Sequence, residues 1–105
     1  MGKNETALAD ITHWIAGARA AGSASRTGEV FNPATGDVTG SVRLADAGVV
    51  DASVDAALAA LPAWSETSPL NRARVMFRFK ELLERNHDAL AAIITHEHGK
   101  VFSDA

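Results

Sequence analysis

The chain predicts an α+β fold in which short strands and a hairpin come first and about three helices follow. Two observations carry that expectation. Val38, Gly40, Val42 and Leu44 alternate with Thr39, Ser41 and Arg43, the period of a strand with one apolar and one polar face. From Asp46 onward the apolar residues recur at intervals of three and four, the period of an amphipathic helix. No repeat, low-complexity tract or linker separates the two patterns, so 105 residues make one domain at most. A chain of this size buries only about two thirds of its unfolded surface, which leaves a thin margin of stability.

Taken in order, residues 1–10 are polar and patternless and predict a flexible N-terminal arm. Thr12-His13-Trp14-Ile15 is β-branched and aromatic before Gly17 and predicts a first strand. Ala18 to Thr27, rich in Ala, Gly and Ser, reads as a flexible connection to a second strand at Glu29-Val30-Phe31. In Asn32-Pro33-Ala34-Thr35-Gly36-Asp37, proline presets the turn and Gly36 can take the positive φ that closes it, so a hairpin leads into the alternating strand. Val50, Val54, Ala57, Leu58 and Leu61 mark a first helix that should stop at Pro62, which has no N–H to continue the ladder. Ser68-Pro69 is the start signal of a second helix with the stripe Val75, Met76, Phe79, Leu82 and Leu83. A third helix begins near Asn86 or Asp88, should bury Leu90, Ile93 and Ile94, and ends at Gly99, suited to a left-handed cap. A meander of two or three strands has edges and faces to cover, and the tail Lys100 to Ala105 adds no further layer. The segment is therefore expected to be part of something larger.

Composition narrows the function. A net charge of −3 provides no basic excess to neutralise a phosphate backbone or an anionic bilayer, so neither nucleic acid nor a membrane is an expected partner. The N-terminus lacks the apolar core of a secretory signal, and no apolar stretch approaches the roughly eighteen residues of a membrane span. A cytoplasmic location follows as the default. There is no cysteine, which excludes a disulfide, a thiolate metal site and a cysteine nucleophile within these residues.

Several clusters invite a site and are weighed down by their spacing. His96, Glu97 and His98, with His87 upstream, carry zinc-ligand chemistry, but residues two apart on a helix point to different sides. They read as solvated or helix-terminal histidines. Arg72, Arg74, Arg78, Lys80 and Arg85 could meet phosphates, yet Glu81 and Glu84 interrupt them and the strip reads as the wet face of a helix. Thr35 to Gly40 has the glycines of a phosphate loop without the following Lys-Ser/Thr, and it precedes a strand. Ser65, Ser68 and Ser103 lie in no nucleophile elbow and suit caps and turns, while Trp14 and Trp64 suit packing. The expected set of catalytic, cofactor-binding and metal-binding residues within this chain is none.

Three stretches together resemble the aldehyde dehydrogenase superfamily: Val30-Phe31-Asn32-Pro33-Ala34-Thr35-Gly36-Asp37-Val38 running on to Val42 and Leu44, Asp51 to Ala60 ending in Leu61-Pro62-Ala63-Trp64, and Ile94-Thr95-His96-Glu97-His98-Gly99-Lys100. Their order and spacing, with Arg72 between the last two, match the start of that family, and the likeness covers nearly all residues after about Ile11. Within it, Trp64 to Phe79 and Glu97 to Ala105 look most like the CoA-acylating methylmalonate-semialdehyde dehydrogenases.

The resemblance implies that residues 11–105 are the N-terminal part of an incomplete NAD-binding domain, a fragment of the α/β aldehyde dehydrogenase fold. The whole enzyme of such a family is a homo-tetramer, cytoplasmic in bacteria, in which a cysteine thiolate attacks a small-molecule aldehyde and a hydride passes to NAD. CoA then takes the acyl group, giving a product such as propanoyl-CoA with loss of carbon dioxide, in valine and inositol breakdown. No catalytic residue can be carried over to this chain, so alone it is expected to be inactive and to bind neither NAD nor CoA. The rival expectation is a stand-alone, non-catalytic helical interaction module; a small independent enzyme using Ser or His chemistry is the third. Exposed apolar area separates the first two: a piece of a larger domain leaves several apolar faces uncovered, and an evolved module leaves one.

Overall fold

The computed structural model describes residues 8–23 and 25–105. They form two compact units that divide between Ala57 and Leu58, within the first helix. The expected α+β order is present: β1 (Ala9–Ile11), β2 (His13–Ile15), β3 (Ala18–Ala20), β4 (Thr27–Phe31) and β5 (Val38–Arg43) precede α1 (Ala47–Glu66), α2 (Pro69–Arg85) and α3 (His87–His98). A 3-10 turn, Phe102–Asp104, follows.

In the first unit, β4 and β5 form the expected hairpin, antiparallel with Glu29 opposite Ser41 and an irregularity at Val30/Phe31. The turn owes its shape to Asn32. Its side-chain oxygen accepts from the N–H of Ala34 at 2.8 Å, its carbonyl accepts from Gly36 at 2.8 Å, and Gly36 sits at φ 79°. The sheet is not a simple meander, because β1 joins the free edge of β5 in parallel, giving the order β1-β5-β4. With neighbours on both sides β5 is central, and its polar as well as its apolar residues are half covered. Gly40 is its buried point: a Cβ there would stand 3.1 Å from the carbonyl oxygen of Ala9, so glycine lets β1 approach.

Two stretches differ from the sequence expectation. Ala9 and Asp10, within the predicted arm, are strand residues, while residues 1–7 of that arm lie outside the described part. Ala18 to Ala20, expected in a flexible connection, pairs with His13 to Ile15 as a two-stranded ribbon. Its two-residue turn places Ala16 at φ 53° and Gly17 at φ 77°, a geometry that favours Asn-Gly and hides behind Ala-Gly. The chain then turns at Gly22, φ 70°, against Val49, a buried apolar side chain at 7% exposure. Val49 is fixed in turn by Asp46, whose carboxylate accepts from its N–H at 2.9 Å and so caps α1.

Pro62 does not end α1, which runs on to Glu66. The proline forfeits one bond, to the carbonyl of Leu58, but that residue is exposed and water can serve the carbonyl. Beyond it the ladder resumes, with Thr67 N–H reaching the Ala63 carbonyl at 3.2 Å and the Ser65 and Thr67 hydroxyls donating to the carbonyls of Pro62 and Ala63. Continuing through Pro62 also lengthens α1 to 20 residues, enough by length and composition to cross a membrane, contrary to the sequence expectation. A core helix passes the same test, and Asp51 and Asp55 mark a polar side on this one.

The second unit follows its sequence signals closely. Ser68 caps α2 by accepting from Asn71 N–H at 3.2 Å, and Pro69 occupies the first turn. Asn86 ends α2 and starts α3: its N–H and side-chain amide both donate to the Leu82 carbonyl, and its own carbonyl accepts from Leu90. Gly99, φ 83°, closes α3 with its N–H on the Thr95 carbonyl. What fails is burial. Ala91 is buried at 2% exposure, whereas Leu90, Ile93 and Ile94, expected inside, are exposed. The α2 stripe is uncovered as well, with Phe79 at 52% and Met76 at 56% exposure. The helical period correctly placed these residues on one face, but it does not provide the neighbour that would cover the face.

Candidate functional site

A groove of about 450 Å³ in the first unit is lined by Ala9 to Trp14 and Arg19. It exists because β1 and β2 succeed one another with only Thr12 between them, so the chain leaves the sheet and enters the ribbon around one corner. The corner carries a carboxylate, an imidazole, an indole and a guanidinium. Asp10 receives two hydrogen bonds from Arg43, at 3.1 and 2.9 Å, a bidentate pair that fastens β1 to β5. Those bonds, aided by the charges of Arg43 and Arg19 and only partly opposed by desolvation, hold the Asp10 carboxyl below the usual carboxylate range. The same pair raises Arg43. A carboxylate so held stays ionised and engaged at neutral pH, which suits strand fastening and does not suit general acid or base work.

Nε2 of His13 is buried without a hydrogen-bond partner among the described residues, and the ring lies beside Gly22. Trp14 stands 70% exposed opposite Arg19 across the ribbon. Sequence reasoning passed over Asp10 and Arg43, because Asp10 sits in the stretch read as an arm and nothing local announces a partner so far along the chain.

The clusters considered from sequence are dispersed. Ser65 donates to the Pro62 carbonyl at 3.0 Å, Ser68 caps α2, and Ser103 lies in the 3-10 turn. On α2, Arg74 donates to Asn71, and Lys80 pairs with Glu84. His87 pairs with Asp88 at 3.1 Å. His96 and His98 lie in the last turn of α3, and among the described residues no three His, Asp or Glu side chains gather as a metal would require. The Thr35 to Gly40 segment forms the hairpin turn and the start of β5. The N–H groups of Ala34, Gly36 and Asp37 already serve Asn32 and Thr35, and Gly40 is enclosed within the sheet.

The fold and the dispersed side chains leave identity to likeness with known proteins. The model of the aldehyde dehydrogenase family matches residues 20–105. The chain belongs to the aldehyde dehydrogenase family. It is 43% identical over 98 residues to the malonate-semialdehyde dehydrogenase of Pseudomonas aeruginosa, covering 93% of this chain and 20% of that protein. It is 44% identical over 77 residues to a probable acylating, mitochondrial methylmalonate-semialdehyde/malonate-semialdehyde dehydrogenase of Dictyostelium discoideum, covering 73% and 15% respectively. Among solved structures, a putative methylmalonate-semialdehyde dehydrogenase from Sinorhizobium meliloti, complexed with NAD, superposes with a TM-score of 0.92 at 42% identity. That match covers 95% of this chain and 20% of the other. The chain thus spans about a fifth of the length of the Pseudomonas and Sinorhizobium proteins, and its strands and helices are those of the aldehyde dehydrogenase fold.

Proposed function

We propose that this aldehyde dehydrogenase segment, residues 11–105, is the N-terminal scaffold of the NAD-binding domain in a CoA-acylating dehydrogenase of malonate or methylmalonate semialdehyde. The observation that carries the reading is the uncovered apolar surface on every helix: Val54 and Leu61 on α1, Phe79 and Leu82 on α2, Ile93 and Ile94 on α3. A module evolved to stand alone would keep one such face, so exposure on all three favours a role inside a larger fold. In that role the residues present position structure and hold no substrate. A chain without cysteine cannot itself provide the thiolate that attacks the aldehyde, and in the exposed Asn32 to Asp37 turn the N–H groups of Ala34, Gly36 and Asp37 are already engaged by Asn32 and Thr35.

The complete activity in this reading converts the semialdehyde to an acyl-CoA such as propanoyl-CoA, with loss of carbon dioxide and reduction of NAD, in valine and inositol catabolism. The setting is a homo-tetramer in the cytoplasm. The catalytic and cofactor-binding residues come from outside this chain, which alone is inactive and binds neither NAD nor CoA. The experiment is a graft: this chain replaces the matching stretch of the Pseudomonas relative, and malonate-semialdehyde oxidation is followed by NADH absorbance with and without CoA. The expected chimera is soluble and active, with NADH formation dependent on CoA. A soluble, folded chimera without activity would overturn the scaffold reading.

A further inference from the structure

We draw no further inference here: the strongest candidate, the exposed apolar stripe of Val75, Met76, Phe79, Leu82 and Leu83 along α2, carries nothing because nothing in the structure shows what covers it.

Discussion

Replacing Gly22 with alanine tests whether the first unit is held by one close contact. A Cβ at Gly22 would lie 2.7 Å from Cγ2 of Val49, well inside van der Waals contact, and the backbone there has φ 70°. A non-glycine residue at positive φ costs roughly 1–2 kcal/mol, and overpacking a filled site about 1–3 kcal/mol. Alanine returns about 0.4–1 kcal/mol by restricting the unfolded chain, which leaves a net loss of about 2–4 kcal/mol. Gly36 is the internal control, since its φ is 79° but a Cβ there meets nothing within 4 Å. Gly36→Ala should therefore cost about 1 kcal/mol, from conformation alone. Amide hydrogen exchange at Val42 and Leu44 reads both variants. At a factor of ten per 1.4 kcal/mol, Gly22→Ala should speed exchange about 30- to 700-fold and Gly36→Ala about fivefold. Equal acceleration in the two variants would refute the argument, because it would mean that the Val49 contact constrains nothing. Adding Val49→Ala to Gly22→Ala should also cost less than the sum of the two single changes.

Other changes test other parts of the fold. Ala16→Asn relieves a positive φ in the ribbon turn and should stabilise β2–β3 by up to about 1 kcal/mol, seen as slower exchange of the ribbon amides; faster exchange would count against the turn assignment. Asp10→Asn removes the charge and one of the two acceptors that hold Arg43 and should loosen β1 on β5, seen as reduced protection along Ala9 to Ile11 with the β4–β5 hairpin intact. The same pair predicts an acid limb. Because the folded Asp10 carboxyl is depressed, its contribution is present above the unfolded value of roughly 3.9 and is lost as pH falls through the lower folded one. That limb should vanish in Asp10→Asn, and a stability–pH profile unchanged by the substitution would refute it. Pro62→Ala restores a donor to the Leu58 carbonyl and should strengthen the middle of α1 by about 1–3 kcal/mol, read as increased helical circular dichroism and slower exchange around residue 62.

How far the sequence could be read depended on whether the deciding interaction was local. Ser68-Pro69, Asn86 and Gly99 act within one helical turn of themselves, and each helix boundary they signal is where it was expected. The Asn32 to Asp37 turn is equally self-contained, and the hairpin around it formed as read. The errors have other causes. Ala9 and Asp10 become strand only through the distant β5 and have no local signal, whereas Ala18 to Ala20 pair with β2 across a local turn that its Ala-Gly sequence does not announce. Pro62 misled because its cost is one hydrogen bond, which an exposed helix can lose and still continue. The apolar stripes were correctly grouped but wrongly assumed to be covered, since periodicity identifies a face and not its neighbour. At the site, the turn and cap roles of the serines and of Asn32 could be read locally, whereas the Asp10–Arg43 fastening could not.

The parallel seating of β1 has a consequence for the order of events on a ribosome. Antiparallel neighbours can pair as they emerge, because a short turn returns the chain at once. Ala9, however, lies opposite Gly40, and Asp10 needs Arg43. The part of the sheet synthesised first is therefore the part placed last. Until the second hairpin strand clears the exit tunnel, the earliest strand has no position to occupy, and its backbone groups must remain with water or with whatever chaperone meets them.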